Sequence, residues 1–355
     1  MTETVHTAHT RLKTLHKVAR LCIPVVVLAF VFQRVDWSEF VHVFARTNPW
    51  LVCLGIAYCP VVILFGALRW RSLVARLLHR AVPLRFMLTH YWIGLALGMF
   101  APASIGWDVY RVVVTGKRYG HYAGNVAAIL VEKVMALLNA VLMVLLLYPW
   151  IHGLTEGDQP VLRQLLQGAI TLLAAGLGAG LLVLFTWRNR MALLVRKMAR
   201  QLVLRITARS LAAIGQRPPE SLQRFSFTGL FLPLAAPRAL AIVLSLSLAI
   251  QLTGAVGSQI IFRAVGYDIP LLVNVFLAPV FTLIFLLPIS FGGLGIREGA
   301  YIVLYGLFGV PPETALLVSF LNLAGILLNN GIGATLMWLQ PLDVSLSAGG
   351  GVDGD

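Results

Sequence analysis

The sequence predicts an all-α polytopic membrane protein made of two inverted-topology halves, each with a re-entrant broken-helix element. Three observations predict this fold: long apolar runs, positive charge confined to alternate loops, and a short motif that occurs twice. Of the 355 residues, 59% are hydrophobic and 12% are charged, against about 25% charged in a soluble domain. The continuous apolar runs suit helices that cross about 30 Å of hydrocarbon, rather than the short alternating strands of a barrel.

The net charge of +14 is best explained by membrane topology. The basic residues lie between the apolar runs, as the positive-inside bias and anionic inner-leaflet lipids require. We therefore expect no nucleic-acid partner. The three cysteines lie inside apolar runs and lack the spacing of a metal site, and we expect no metal and no cofactor.

The apolar runs and their flanks divide the chain into segments. Residues 1–17 are predicted to be a cytoplasmic N-terminal segment, and 18–35 an uncleaved first span, because basic residues precede it and no small-x-small site follows. Residues 36–48 have the helical spacing of an interfacial helix. The further predicted spans are 49–69, 122–147, 162–187, 239–262 and 313–339.

Loop charge makes residues 86–105 a predicted re-entrant segment. The loop 69–85 is basic without acidic residues, whereas 148–161 contains two acidic residues and no lysine or arginine. Only an odd number of crossings connects an inside loop to an outside loop, yet two apolar segments lie between them. The segment 86–105 ends in Pro, Ser and Gly, and irregular backbone at membrane depth must be buried or line an aqueous cavity.

The second half repeats this plan from the other side of the membrane. Residues 270–310 form a second predicted re-entrant pair, and opposed entry of equivalent segments describes an inverted repeat. The halves extend over about 49–187 and 239–340 within one transmembrane domain, 18–340. The basic segment 188–238 joins them on the cytoplasmic side, and the Gly-rich, acidic tail 341–355 is predicted to be disordered.

The frame Pro-x-Ser-x-Gly-x4-Arg occurs twice at a constant offset. The two copies are 186 residues apart and consist of Pro102, Ser104, Gly106 and Arg111, then Pro288, Ser290, Gly292 and Arg297. Four matched positions within ten residues indicate an internal duplication. The alternative is that Pro, Ser and Gly recur because they are common in loops.

Ionisable residues at membrane depth are functional candidates, because each costs about 2.5–3.5 kcal/mol at a helix centre. Arg111 and Arg297 occupy matched positions, and a guanidinium beside a broken-helix N-terminus suits a phosphate or carboxylate. The nearby acids Asp108 and Glu298 would neutralise the arginines when no ligand is bound. Glu132 is a further partner for an arginine, or a protonatable group that couples transport to protons.

The alternative is that these ion pairs fix the re-entrant backbone without touching substrate. The glycines of the second motif permit tight turns and close approach of a headgroup. No catalytic residue is predicted. The predicted substrate-binding residues are Ser104, Asp108, Arg111, Glu132, Ser290, Gly292, Gly293, Gly295, Arg297 and Glu298.

These motifs resemble the flippase-like membrane family that includes the transmembrane region of lysylphosphatidylglycerol synthase. Pro288 to Gly299 matches the family's second signature, Pro-x-Ser-x-Gly-Gly-x-Gly-x-Arg-Glu-Gly, in full. The first signature is similar to residues 102–111 and the later Glu132-Lys133 pair, with Trp107 in place of a glycine and Lys133 in place of an arginine. The resemblance covers about residues 15–340 and implies the lipid-translocating half without the aminoacyl-transferase domain.

We therefore expect a bacterial inner-membrane protein with a cytoplasmic N-terminus that is not an enzyme. It would bind a lipid with a phosphate headgroup (a phospholipid, an aminoacyl-phospholipid or a polyprenyl-phosphate carrier) and move it between leaflets. Its partners would be anionic membrane lipids, with a second copy or a cell-envelope enzyme left open. The alternatives are an intramembrane transferase with Glu132 or Asp108 as base, and a non-catalytic partner of a cell-envelope enzyme.

Overall fold

The computed structural model describes residues 33, 35–79, 81–99, 105–120, 122–151, 236–286 and 295–339, with isolated positions between 153 and 234. Apart from isolated positions, the predicted spans 18–35 and 162–187 and the basic segment 188–238 lie outside the described residues, as does the whole tail 341–355. Regular secondary structure in the described ranges is entirely α-helical. This confirms the all-α class.

The described helices are, in chain order, α1 Trp37–Arg46, α2 Pro49–Tyr58, α3 Pro60–Leu78, α4 Leu84–Met99, α5 Ile105–Tyr119, α6 Tyr122–Ile151, α7 Pro237–Ala264, α8 Leu271–Leu286, α9 Ile296–Gly306 and α10 Pro312–Leu339. Four helical segments are long and apolar enough to cross a membrane: Pro49–Leu78, which joins α2 to α3, and α6, α7 and α10. The chain is therefore a multi-pass membrane protein. The four spans predicted within these ranges are present.

Polar caps and prolines set where the first described helices begin. The Asp36 side chain accepts hydrogen bonds from the first-turn amides of α1, and the Asn48 side chain accepts hydrogen bonds from the first-turn amides of α2. These bonds satisfy backbone N–H groups that have no partner within the helix. Pro49 and Pro60 stand at the first positions of α2 and α3, where a missing N–H costs nothing. Pro60 also explains the break between these helices.

The prediction that the second span ends near Arg69 is wrong. The α3 helix continues to Leu78 and ends only where His79 adopts a left-handed conformation with φ of 50°. The apolar face of the helix continues past Arg69, because Trp70, Leu73 and Val74 are all buried. Arg69 is therefore an interior residue of a long helix rather than the first residue of a loop.

The two halves interlock through their helices. The α4 helix packs on α10, α8 packs on α6, and the α2–α3 segment packs on α7. The last pair is antiparallel: Gly55 lies against Ile261, Tyr58 against Gly257, and Arg69 contacts Ser247. The absence of a side chain at Gly55 lets these helices approach closely.

Exposed tryptophans lie at the ends of the long helices. Trp50 is the second residue of α2, Trp150 lies near the end of α6, and Trp338 lies near the end of α10; each is strongly exposed. Tryptophan is enriched where membrane meets water, because its ring is apolar and its N–H needs a partner. These positions therefore suit the two interfaces of a bilayer.

Buried polar side chains connect the helices of the second half. The Asn274 amide nitrogen donates to Gln259 at 2.6 Å, and the Tyr305 hydroxyl donates to the Asn274 oxygen at 2.7 Å. Gln259 in turn donates to the Ile269 carbonyl at 2.8 Å. This chain of bonds joins α7, α8 and α9, as polar side chains between membrane helices commonly do.

Candidate functional site

The candidate site lies where α3, α5, α6 and α7 meet. Arg111 occupies its centre, at the end of the second turn of α5, and is 1% exposed. Asp108 is one turn earlier on the same helix, so the two side chains share a face. The α6 helix brings Glu132 against this face from the other side.

Arg111 is held by two carboxylates. Its Nη2 donates to Asp108 Oδ1 at 2.8 Å, and its Nη1 donates to Glu132 Oε2 at 3.0 Å. Charge-assisted hydrogen bonds of this length are among the strongest that side chains form. The predicted pairing of Arg111 with Asp108 is confirmed. The prediction left open whether Glu132 pairs with Arg111, pairs with Arg297 or takes up protons, and the structure pairs it with Arg111.

Arg69 is a second buried arginine in the same network, which the sequence reasoning missed. Its Nη2 donates to Glu132 Oε1 at 2.9 Å and its Nη1 donates to the Ser247 hydroxyl at 3.0 Å. Glu132 therefore binds one arginine with each carboxylate oxygen and joins α3 to α5. The apolar residues that continue the α3 face beyond Arg69 were the signal that this arginine is buried.

Lys133 completes the network at its more exposed edge. Its Nζ lies 2.8 Å from Asp108 Oδ2. The side chain of Lys133 is 44% exposed and that of Asp108 is 20% exposed, whereas that of Glu132 is 4% exposed. Lys133 and Glu132, although adjacent in the chain, therefore have different partners.

Aromatic rings enclose the Arg111 guanidinium. Its central carbon lies 5.3 Å from the Trp70 ring centroid, 5.5 Å from Tyr91 and 4.6 Å from Trp107, within the range of cation–π attraction. Trp107 also packs against Gly94 of α4, where a Cβ would meet its ring. The tryptophan that departs from the family signature therefore occupies space beside the central arginine.

The second motif forms a smaller, self-contained pair. Arg297 Nη2 and Nε donate to Glu298 Oε1 at 2.7 and 3.1 Å, and both residues are buried. The other oxygen of Glu298 accepts the Gly295 backbone N–H at 2.6 Å. Gly295 has a φ of 79°, a conformation that favours glycine. Because Glu298 binds the backbone N–H of this residue, the ion pair also stabilises the N-terminus of α9.

The structure describes only part of the predicted substrate-binding set. It brings Asp108, Arg111 and Glu132 together, and it pairs Arg297 with Glu298 beside Gly295. Ser104, Ser290, Gly292 and Gly293 lie outside the described residues. Contact of any of these residues with a substrate stays a prediction.

The network of the first half has more positive than negative charge. Arg69, Arg111 and Lys133 face the carboxylates of Asp108 and Glu132, so the described members have a surplus of one positive charge. A buried charge is costly unless it is paired. Chemically, the arrangement can accept one further anion.

These features define the class of the protein: a polytopic helical membrane protein with a charge network between its helices, buried around Arg111 and half-exposed at Lys133. The profile of the family described as the lysylphosphatidylglycerol synthase TM region matches residues 17–323. The chain belongs to this family, which confirms the predicted resemblance. No curated protein and no solved structure matches the chain.

Proposed function

We propose that the protein binds a lipid with a phosphate-bearing headgroup and moves it between the leaflets of the bacterial inner membrane, without changing it chemically. The observation that carries the proposal is the surplus positive charge around Arg111, which is 1% exposed in the interior of a membrane protein. A phosphate oxygen is a suitable acceptor for a guanidinium. The family name makes an aminoacyl-phospholipid one candidate substrate.

The helix bounds support an internal repeat. Moved by the motif offset of 186 residues, Pro49–Leu78 becomes 235–264, close to α7 at Pro237–Ala264. The same shift takes α4, Leu84–Met99, to 270–285, close to α8 at Leu271–Leu286. It takes α6, Tyr122–Ile151, to 308–337, close to α10 at Pro312–Leu339.

The packing supports the inversion of the two halves. Equivalent helices of an inverted repeat run in opposite directions, and the α2–α3 segment packs antiparallel to α7. The other contacts form an equivalent pair. The α4 helix of the first half packs on α10 of the second, and the corresponding α8 of the second half packs on α6 of the first. We propose that α4 with α5, and α8 with α9, are re-entrant pairs, and that a site between them opens to either leaflet.

The ion pairs favour transport over chemistry. A general base needs a carboxylate that is free to take a proton from its substrate. Both oxygens of Glu132 accept bonds from arginines, and both oxygens of Asp108 lie against Arg111 or Lys133. These contacts occupy the oxygens of each acid, which argues against the transferase alternative.

Reconstitution tests the proposal. Purified protein is placed in liposomes that contain fluorescent phosphatidylglycerol in one set and fluorescent phosphatidylcholine in another, and movement is followed by quenching from outside. We expect faster exchange of the anionic lipid, and unchanged lipid by mass spectrometry. A modified lipid would indicate a transferase.

Two variants provide the comparison within this assay. Arg111→Gln removes the central guanidinium and is expected to abolish the acceleration. Lys117→Gln removes a positive charge from the same helix at an exposed position and is expected to behave like the unmodified protein. Equal activity of Arg111→Gln and the unmodified protein would contradict the proposal. Equal exchange of both lipids would contradict the preference for an anionic headgroup.

A further inference from the structure

The two halves differ in their buried charges. The positions 186 residues beyond Arg69, Glu132 and Lys133 are occupied by Ala255, Val318 and Ser319, and all three of these are buried. Of the charged residues in the network, only Arg111 has a charged residue at the matched position of the second half, namely Arg297. The network around Arg111 is therefore absent at the matched described positions.

The arginine of the second half is already neutralised by its neighbour in the chain. Both described donors of Arg297 bind one oxygen of Glu298, and the other oxygen accepts the Gly295 N–H. One positive charge meets one negative charge, with no surplus. The pair also holds the left-handed residue at which α9 begins, so it has a structural role without any ligand.

The first half, in contrast, has buried donors without acceptors. The Nε atoms of Arg69 and Arg111 and the indole N–H groups of Trp70 and Trp107 find no acceptor among the described residues. Leaving a buried donor unpaired is unfavourable. These four donors belong to the two arginines and to two of the rings around Arg111, so both hydrogen bonding and charge at this place favour an added anion.

The contacts indicate which carboxylate an anion would replace. Glu132 is almost fully buried and is held by both arginines. Asp108 is partly exposed and is held by Arg111 on one oxygen and by the half-exposed Lys133 on the other. An anion that arrives beside Lys133 therefore reaches Asp108 first.

We infer that the first half alone binds the anionic phosphate of the headgroup, and that this phosphate replaces Asp108 on Arg111 while Glu132 stays in place between the arginines. Lys133 lies at the entry of the site, and Arg69 belongs to the binding set. Arg297 and Glu298 stabilise the start of α9. This rests on the proposed function only in taking the phosphate to be that of a lipid.

Binding measurements on purified protein in a neutral detergent test the inference, with dioctanoyl phosphatidylglycerol as the probe. Asp108→Asn removes the competing carboxylate and keeps its size, so we expect about tenfold tighter binding, the scale of one charge-assisted bond. Lys133→Gln lowers the positive charge at the entry and is expected to weaken binding. A purely structural ion pair would give lower stability in both variants without these opposite effects on affinity.

The two arginines of the repeat provide the matched comparison. Arg111→Gln and Arg69→Gln are expected to weaken binding by about tenfold or more, whereas Arg297→Gln is expected to stay within about twofold of the unmodified protein. Equal losses in Arg111→Gln and Arg297→Gln would overturn the assignment to one half. So would a folded Asp108→Asn protein whose affinity is unchanged or weaker, with folding checked by its melting temperature.

Inorganic phosphate and dioctanoyl phosphatidylcholine distinguish the source of the anion. Displacement of the probe by millimolar phosphate as effectively as by the lipid would overturn the assignment to a lipid headgroup. Binding of the zwitterionic lipid with the same affinity would overturn the role of net charge. If the variants change affinity as expected but reconstituted protein moves no lipid, the proposed function fails and this inference stands. If reconstituted protein moves lipid but the variants do not change affinity as expected, the proposed function stands and this inference fails.

Discussion

Replacing Glu132 with glutamine removes the carboxylate that joins the two buried arginines. The glutamine has nearly the same shape, so the change tests charge rather than packing. In the unmodified protein, three cations face two carboxylates in the network. In Glu132→Gln the same cations face Asp108 alone, and the surplus rises from one positive charge to two.

The expected cost follows from the contacts of Glu132. It accepts bonds from Arg69 at 2.9 Å and from Arg111 at 3.0 Å, and it is 3% exposed. Removing one partner of a buried ion pair costs about 3–5 kcal/mol, because the other charge is left uncompensated. The glutamine oxygen still accepts one bond, so we expect a loss of about 3 kcal/mol in the free energy of unfolding.

Unfolding in mixed micelles, followed by circular dichroism, measures this loss. Glu313→Gln is the matched control, because Glu313 is also buried and accepts one described bond, from the Asp36 backbone N–H at 2.9 Å. We expect a loss of about 1 kcal/mol there. Equal losses in the two variants would refute the reasoning.

A double variant separates charge from shape. In the Glu132→Gln background, Arg69→Met removes one of the two arginines that lost their carboxylate. Residues of one ion-pair network have non-additive effects, so the double variant should lose less stability than the two single changes together. Additive losses would mean that Arg69 and Glu132 act independently, in conflict with their direct bond.

Two further predictions concern helix packing and capping. At Gly333 an added Cβ meets the Trp92 backbone carbonyl of α4, so Gly333→Leu should lower the free energy of unfolding in mixed micelles by about 2 kcal/mol or more. At Gly331 an added Cβ has no neighbour within 4 Å, so Gly331→Leu should have little effect; equal losses would contradict this. Asp36→Ala removes the side-chain cap of α1 and should destabilise that helix by about 1 kcal/mol, measured as faster hydrogen exchange of its first-turn amides; unchanged exchange would contradict the cap.

The positions of the long helices were predictable from sequence because hydropathy and prolines act locally. The predicted span 239–262 corresponds to Pro237–Ala264, and 122–147 corresponds to Tyr122–Ile151. Pro237 marks the first turn of α7, and the length of each apolar run sets the length of its helix. The break at Pro60 was missed because the apolar run continues through it without a change in composition.

Arg69 was missed because a charge at the end of an apolar run has two interpretations. Counting loop charge treats it as the first residue of a basic flank, which fits the positive-inside bias. The alternative depends on Glu132, 63 residues later in the chain, and on Ser247, 178 residues later. Local pattern contains no information about such partners, whereas Asp108 and Arg111, one turn apart, were predictable as a pair.

The cost of the network bears on why it exists. Each charged side chain in a membrane span costs about 2.5–3.5 kcal/mol on insertion scales, and buried ion pairs seldom repay their desolvation better than apolar packing does. In the proposed repeat, the positions that correspond to Arg69 and Glu132 are Ala255 and Val318, which are apolar and buried. The helix plan of this fold therefore does not require those charges. Stability alone does not account for two buried arginines on one glutamate, whereas the proposed binding of an anion would.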